Sequence, residues 1–393
     1  MPVQQAQAKH LPPLDGLRGV AILMVLLFHV WRVPGGGVSG PVSHAIENFA
    51  SIGWTGVELF FVLSGFLITG ILLDARQATN YFRVFYARRV LRIFPLYYLT
   101  LIAFFWVWPL LAHHVAFFQL HGQGTFGPRE QLWYWFDLVN LRTAFYPLII
   151  VMLTHCWTLS LEEQFYAVWP VVVRFLRERW LVAGSIAVVV LSPALRALPW
   201  VQSMNAVYPN FTYRLTPFNL DTLLTGALLA VLWRRLDQKR LLWAAAAGLA
   251  ATLPGLLLWG ASSPGAGVIQ PTVLALMFGS LLLLSLTWRP LQVFFALPPL
   301  RAMGKYSYSV YLLHPLVIAW TNVPMTHLLH QRPLFPGSPY GSFLAYGVVQ
   351  IAMCFLVARG TWAIIESPLL RLKRHYRYEA PAGQTGALPG GIR

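Results

Sequence analysis

Ten stretches of this chain are each apolar for long enough to cross a lipid bilayer, and that constrains the fold more than any motif. They run over 14–33, 52–73, 94–111, 155–173, 180–198, 213–233, 241–260, 268–287, 306–323 and 342–365. The hydrocarbon core is about 30 Å thick and is spanned by roughly 17–25 helical residues. A continuous apolar segment in that layer satisfies its backbone groups as a helix. Only 11% of the 393 residues are charged, against about a quarter in a soluble domain, so the chain needs lipid as part of its solvent. The expected fold is all-α: a polytopic integral membrane protein of about ten transmembrane helices, with the lipid bilayer as partner.

An aromatic stretch over 132–153 is ambiguous, because Asp137, Asn140, Arg142 and Pro147 interrupt it. Charge placement decides the matter. With the N-terminus inside and this stretch left out, the cytoplasmic segments hold 21 of the 29 lysines and arginines. They include five arginines over 76–92, three over 174–179 and four basic residues over 234–240. The outer loops receive only Arg32, Arg129, Arg142 and Arg332. This is the asymmetry that membrane insertion imposes, and a crossing at 132–153 would abolish it. Both termini are therefore expected in the cytoplasm, with 132–153 on the outer surface or re-entrant. The net charge of +16 reads as topology and not as nucleic-acid binding.

Residues 1–370 are expected to form one membrane-embedded domain and 371–393 a basic, then disordered, cytoplasmic tail. The segment before Leu14 lacks the basic start and cleavage site of a signal peptide. Cys156 and Cys354 are distant and lie in or beside apolar runs, which argues against a disulfide framework or a cysteine metal site. No metal is expected. Internal repeats and paired broken helices are absent, which weighs against a secondary transporter.

Ionisable groups inside spans are costly and mark candidate sites. Arg18 and His29 are eleven residues apart, which puts them on one helix face about 16 Å apart along the axis. That layout suits a ligand anionic at one end and reactive at the other; a snorkelling arginine beside a packed histidine would give the same spacing. His155, Glu162 and Tyr166 share a face of the fourth span, and Ser307, Tyr311 and His314 share one of the ninth. An interfacial aromatic belt would give the first stripe, though Glu162 and Glu163 side by side fit it poorly, and a stripe like the second more often serves interhelical hydrogen bonding than chemistry. The short element 80–94 carries Arg83, Arg88, Arg89 and Arg92, suited to binding phosphate or to lipid headgroups.

Taken in order, these segments resemble the acyltransferase 3 family of membrane O-acyltransferases. Arg18 and His29 in LDGLRGVAILMVLLFHV match its arginine–ten–histidine signature, and Ser64, Gly65 and Phe66 match its Ser-Gly-Phe helix. YARRVLRIFPLYY resembles its paired arginines before a proline, and HCWTLSLEEQFYAVWP its tryptophan–serine–glutamate helix. YSYSVYLLHPLV and Ile365-Glu366-Ser367-Pro368 resemble its late motifs. Two positions depart from the pattern: Glu58 stands where aspartate is expected, and Asn219 stands where arginine often precedes Asp221.

The resemblance implies acyl-CoA as donor, with acetyl-CoA expected, and a carbohydrate or glycoside hydroxyl as acceptor. It assigns catalysis to His29 with Arg18 and Glu162, and donor binding to Arg88, Arg89, Arg92 and Ser64. Glu58, His155, Tyr166, Tyr311 and His314 would support the acceptor side. His29 could act as general base or accept the acyl group itself. The alternatives are a transporter or flippase for a polar or lipid-linked solute, and a structural membrane subunit. The expected setting is the inner membrane of a bacterium.

Overall fold

The computed structural model describes residues 11–31, 41–110, 127–146, 151–259, 267–331, 335 and 338–380, with no strand among them. Ten helices of sixteen residues or more carry the architecture. They are α1 (Pro12–Trp31), α2 (Gly56–Asp74), α3 (Tyr81–Ile102), α4 (Trp157–Phe175) and α5 (Glu178–Ala197). The rest are α6 (Leu220–Arg235), α7 (Gln238–Trp259), α8 (Gln270–Thr287), α9 (Ser307–Gln331) and α10 (Pro339–Thr361). Each falls on one of the apolar runs. Six helical runs are long and apolar enough to cross a membrane: Pro12–Trp31, His44–Asp74, Tyr81–Leu110, Glu178–Ala197, Gln270–Thr287 and Tyr340–His375. The last, at 36 residues, would extend about 54 Å. That exceeds the apolar layer, so its basic end from Arg371 lies outside.

Burial sorts the helices. In the most apolar window of the runs containing α2 and α8, 72% and 78% of residues are buried, against 28% and 33% for those containing α5 and α10. Accordingly α2 and α8 are central, whereas Val190 and Leu191 on α5 and Val348 and Leu356 on α10 are exposed. Outward apolar side chains carry no cost against lipid. The central helices approach closely through small residues. A Cβ on Gly65 of α2 would overlap the Leu223 carbonyl of α6, and one on Gly226 of α6 would overlap the Val62 carbonyl of α2. This crossing fixes the height of Ser64, the neighbour of Gly65, within the bundle.

Two features differ from the reading of the runs. The basic element 80–94 and the span after it form one continuous helix, α3, which carries Pro95 inside it and continues through a π turn at Ala103–Val107. The run 213–233 is broken before α6, because the Asn219 amide lies within hydrogen-bond reach of the Thr212, Tyr213 and Leu215 carbonyls at 3.2, 3.0 and 2.9 Å. Over 132–153, two short helices, Pro128–Trp135 and Val139–Phe145, flank Asp137 at φ 54°. Neither can span a bilayer, while residues 147–150 lie outside the described residues. Ser160 of α4 donates to the Asp137 carboxylate at 2.7 Å and accepts from the Val139 N–H at 3.1 Å. Asn140 and Gln164 exchange amide hydrogen bonds at 3.2 and 2.9 Å. Both ties pin the broken pair to α4.

After α10 the chain turns through Trp362–Glu366, Ser367–Arg371 and Leu372–His375 and runs back across the start of α3. Arg88 Nε donates to the Tyr376 carbonyl at 2.7 Å, and Asn80 Nδ2 to the Arg377 carbonyl at 2.9 Å. The Thr79 N–H donates to the Glu379 carbonyl, and the Glu379 N–H to Asn80 Oδ1, both at 3.1 Å. The first part of the basic tail is thus a packed strap; the expected disorder beyond it falls on 381–393, outside the described residues.

Candidate active site

At the basic end of the bundle, α1, α2, α3, α4, α9 and the C-terminal strap enclose a cavity of about 860 Å³, within the range of small-molecule sites. Its inner walls are apolar, supplied by Leu14, Phe60, Phe61 and Leu67 among others. Eight cationic side chains line it: Arg18, Arg88, Arg89 and Arg92, which the sequence singles out, and Arg371, Lys373, Arg374 and Arg377. The acidic side chains on the same surface are Asp15 and Glu162. Such crowding of like charge is unfavourable in the empty protein and makes a ready site for a polyanion. Lys373, outside the apolar layer, records the strain: burial first, then the guanidinium groups of Arg92, Arg89, Arg88 and Arg18, lower its pKa to about 7.

Toward the middle of the bundle the lining becomes a hydrogen-bonded polar floor. Ser64 of α2 bonds to the Tyr166 hydroxyl of α4, which donates to Glu162 Oε2 at 2.8 Å. The Arg89 guanidinium lies 4.1 Å over the Tyr166 ring. Consecutive residues on α3 therefore serve opposite ends: Arg89 faces the floor, while Arg88 faces the strap. The i, i+4 spacing of Glu162 and Tyr166 makes their contact possible, and the α2–α6 crossing brings Ser64 to them.

Beside the floor stands Tyr311, on the cavity wall. Its hydroxyl bonds to Thr158 Oγ1 at 2.7 Å and lies 3.2 Å from the His155 carbonyl. Behind it three imidazoles gather. The rings of His29 and His314 are 4.7 Å apart, those of His155 and His314 5.3 Å, and Tyr311 contacts the latter two at 5.4 and 5.8 Å. Backbone carbonyls orient each ring: His29 Nδ1 donates to Val25 at 2.8 Å, His155 Nε2 to Leu312 at 3.1 Å, and His314 Nδ1 to Tyr311 at 2.7 Å. A carbonyl only accepts, so neutral His29 and His314 carry their lone pairs on Nε2. His314 Nε2 is buried without a partner among the described residues. Among those residues, no set of three or more His, Cys, Asp or Glu side chains is arranged to hold a metal ion.

The predicted residues thus fall into three places. Arg18, Arg88, Arg89, Arg92, Ser64, Glu162, Tyr166 and Tyr311 share the cavity surface. His29, His155 and His314 form the cluster behind Tyr311 and are not on that surface. Glu58 is in neither place: it is fully buried between α2 and α6, where Thr222 donates to it at 3.1 Å. Next to it Asp221 pairs with Arg196 of α5 at 2.6 Å. The cation that Asn219 does not supply comes from another helix. Sequence reasoning missed the strap residues Lys373, Arg374, Arg377 and Tyr378; their charges were legible, but positive-inside bias accounted for them equally well.

A helical bundle with apolar outer faces, a basic cavity at one end and a histidine cluster beyond its floor has the form of a polytopic membrane protein with a polar site inside it. The chain matches the family model described as an acyltransferase domain, that of the acyltransferase 3 family, over residues 12–359, and it belongs to that family. It is 28% identical over 340 residues to a putative peptidoglycan O-acetyltransferase, YrhL, of Bacillus subtilis, covering 80% of this chain and 50% of the relative. It is 25% identical over 376 residues to the O-acetyltransferase OatA of Staphylococcus aureus, covering 92% and 57%. Against the peptidoglycan O-acetyltransferase OatA of Listeria monocytogenes the identity is 26% over 388 residues, covering 92% and 56%. The chain therefore spans about half the length of the curated relatives it matches. No solved structure shows a significant match.

Proposed function

We propose that this chain is a bacterial inner-membrane O-acyltransferase that moves an acyl group, acetyl first among candidates, from acyl-CoA to a hydroxyl of a carbohydrate or glycosylated small molecule. The observation that carries the reading is one continuous arrangement: an eight-cation cavity whose floor adjoins, through Tyr311, a cluster of three imidazoles. Coenzyme A concentrates its negative charge at the nucleotide end and carries the thioester at the other, so it matches a site that is basic at its mouth and apolar farther in. With about ten spans and both ends inside, the basic mouth faces the cytoplasm, as insertion bias requires. The O-acetyltransferase names of the relatives favour acetyl as the group and a glycan as the acceptor.

In this reading Arg18, Arg88, Arg89 and Arg92 hold phosphates by charge-assisted hydrogen bonds. The pantetheine arm follows the apolar wall to Ser64, Glu162 and Tyr166, and the thioester passes Tyr311 toward His29. His29, with its lone pair on Nε2, removes the proton of the acceptor hydroxyl as that oxygen attacks the thioester carbonyl and the CoA thiolate leaves. Alternatively, Nε2 itself takes the acyl group and passes it to the hydroxyl. His314 and His155 sit where the proton can be relayed. Glu58 supports from a distance, through the α2–α6 contact that positions Ser64.

Mass spectrometry of envelope glycans and small glycosides, from cells with and without the protein, tests the acceptor class. A mass difference of one acyl group on a sugar is expected, absent with His29→Ala at equal membrane insertion. Unchanged glycans and glycosides would overturn the assignment. Single-turnover labelling with radioactive acetyl-CoA and no acceptor separates the two routes, since only the covalent one leaves acyl-protein.

A further inference from the structure

The C-terminal strap lies beyond the 12–359 match that defines the family, yet it supplies four of the eight cations on the cavity surface. Four observations point to a binding role. Lys373, Arg374, Arg377 and Tyr378 all line the cavity. The strap is tied down through its own main chain: the Tyr376 and Arg377 carbonyls accept from the Arg88 and Asn80 side chains, and the Glu379 main chain bonds Asn80 Oδ1 and the Thr79 N–H. The Arg374 and Arg377 side chains remain exposed at the mouth. Finally, the Tyr378 ring lies 5.6 Å from the Arg88 guanidinium and is partly buried, giving an aromatic face beside three cations.

Position within the cavity separates this set from the inner arginines. Arg89 stacks on Tyr166 at the floor, where the inner phosphates of the donor would be held. Arg88 is turned to the strap, at the opening. A donor with its inner phosphates at the floor and its thioester beyond Tyr311 therefore places its most distant groups against the strap. On CoA those groups are the adenine ring and the phosphate on its ribose.

We infer that residues 373–378 form a distinct subsite for the adenosine 3′-phosphate end of the donor, with Arg374, Arg377 and Lys373 taking the phosphate and Tyr378 the base. This rests on the acyl-CoA reading above. The subsite would make the enzyme discriminate CoA thioesters from shorter pantetheine thioesters that offer the same acyl group. A phosphate held by two guanidinium groups and an ammonium gains charge-assisted contacts that the inner arginines do not replace.

The test compares donors in lipid nanodiscs containing the full chain: acetyl-CoA, acetyl-3′-dephospho-CoA and S-acetyl-4′-phosphopantetheine. Wild-type protein should show a KM for acetyl-CoA at least about tenfold below those of the two truncated donors. In Arg374→Gln/Arg377→Gln, the KM for acetyl-CoA should rise by about tenfold or more relative to that for S-acetyl-4′-phosphopantetheine, collapsing the discrimination. Both side chains are exposed and the strap is held by main chain, so the variant should fold; an unchanged melting temperature verifies this. Equal KM values for the three donors in wild type, or a variant that retains the discrimination, would overturn the subsite. Binding of adenosine 3′,5′-bisphosphate, measured by calorimetry, separates the failures. Binding that the double variant weakens, in a protein that transfers no acyl group, would sink the acyl-CoA reading and leave the subsite standing. Transfer without such binding would do the reverse.

Discussion

Replacing Arg89 by alanine removes a guanidinium that lies 4.1 Å over the Tyr166 ring and lines the cavity at its polar floor. If that group holds a donor phosphate, the loss is one charge-assisted contact, about 1.5–3 kcal/mol. At 1.4 kcal/mol per tenfold, the donor KM should rise by about 10- to 150-fold. The cation–π contact with Tyr166, of about 0.5–2 kcal/mol, is lost as well, which loosens the ring that bonds both Ser64 and Glu162. Arg89→Lys keeps the charge and the stacking but not the planar fork, so its KM should return to within about tenfold of wild type. Initial rates of CoA thiol release, with donor and acceptor varied in turn, give both KM values for each variant. The acceptor KM should move much less than the donor KM, because the one direct ligand contact removed is to the donor and the Tyr166 hydroxyl keeps its bonds to Ser64 and Glu162. A donor KM unaltered in Arg89→Ala, or donor and acceptor KM rising together, would refute the phosphate assignment.

Three other perturbations test the frame around the site. Gly65→Ala drives a methyl group into the Leu223 carbonyl and should cost about 1–3 kcal/mol or more by overpacking, read as a lower melting temperature in detergent; an unaltered melt would mean that α2 and α6 do not cross there. Asp221→Asn leaves Arg196, 2% exposed, as a buried cation without its counter-charge, a loss of about 3–5 kcal/mol. Folded yield should recover when Arg196→Met is added, and a single variant as stable as wild type would contradict the buried pair. Lys373 gives a pH dependence whose sign is fixed. With its pKa lowered to about 7 in the empty site, it is charged below that pH and must take up a proton to hold phosphate above it. The donor KM should therefore climb from pH 7 to 9, clear of the phosphate ionisation near 6, and stay low and flat in Lys373→Arg; identical profiles would exclude Lys373 from the site.

Much of this arrangement is legible in the residue order because it depends on local periodicity. Each of the ten apolar runs carries one long helix, and the interruptions over 132–153 mark a stretch where the described residues form no helix long enough to span. Arg18 and the Arg88–Arg92 cluster, with Glu162, Tyr166 and Tyr311, stand out as candidates by type and spacing, their roles coming from the resemblance, and the fold brings them to one cavity surface. What spacing does not carry is contact between helices distant in sequence. Nothing local says that Arg196 will pair with Asp221, that Asn219 will organise a turn, or that Tyr311 will line the cavity while packing against His155 and His314. The strap was obscured for another reason. A run of cations after the last span serves topology and ligand binding equally well, and only the fold, by tying Tyr376, Arg377 and Glu379 to the start of the third long helix, brings those cations to the cavity surface.

The most direct measurement of the central claim is release of the CoA thiol by purified protein in nanodiscs supplied with acetyl-CoA and a glycan acceptor. Stoichiometric thiol release and acetyl incorporation, both abolished by His29→Ala in a protein that melts like wild type, are the predicted result. Movement of a solute across the membrane with acetyl-CoA left intact, or undiminished transfer by the His29→Ala variant, would contradict it.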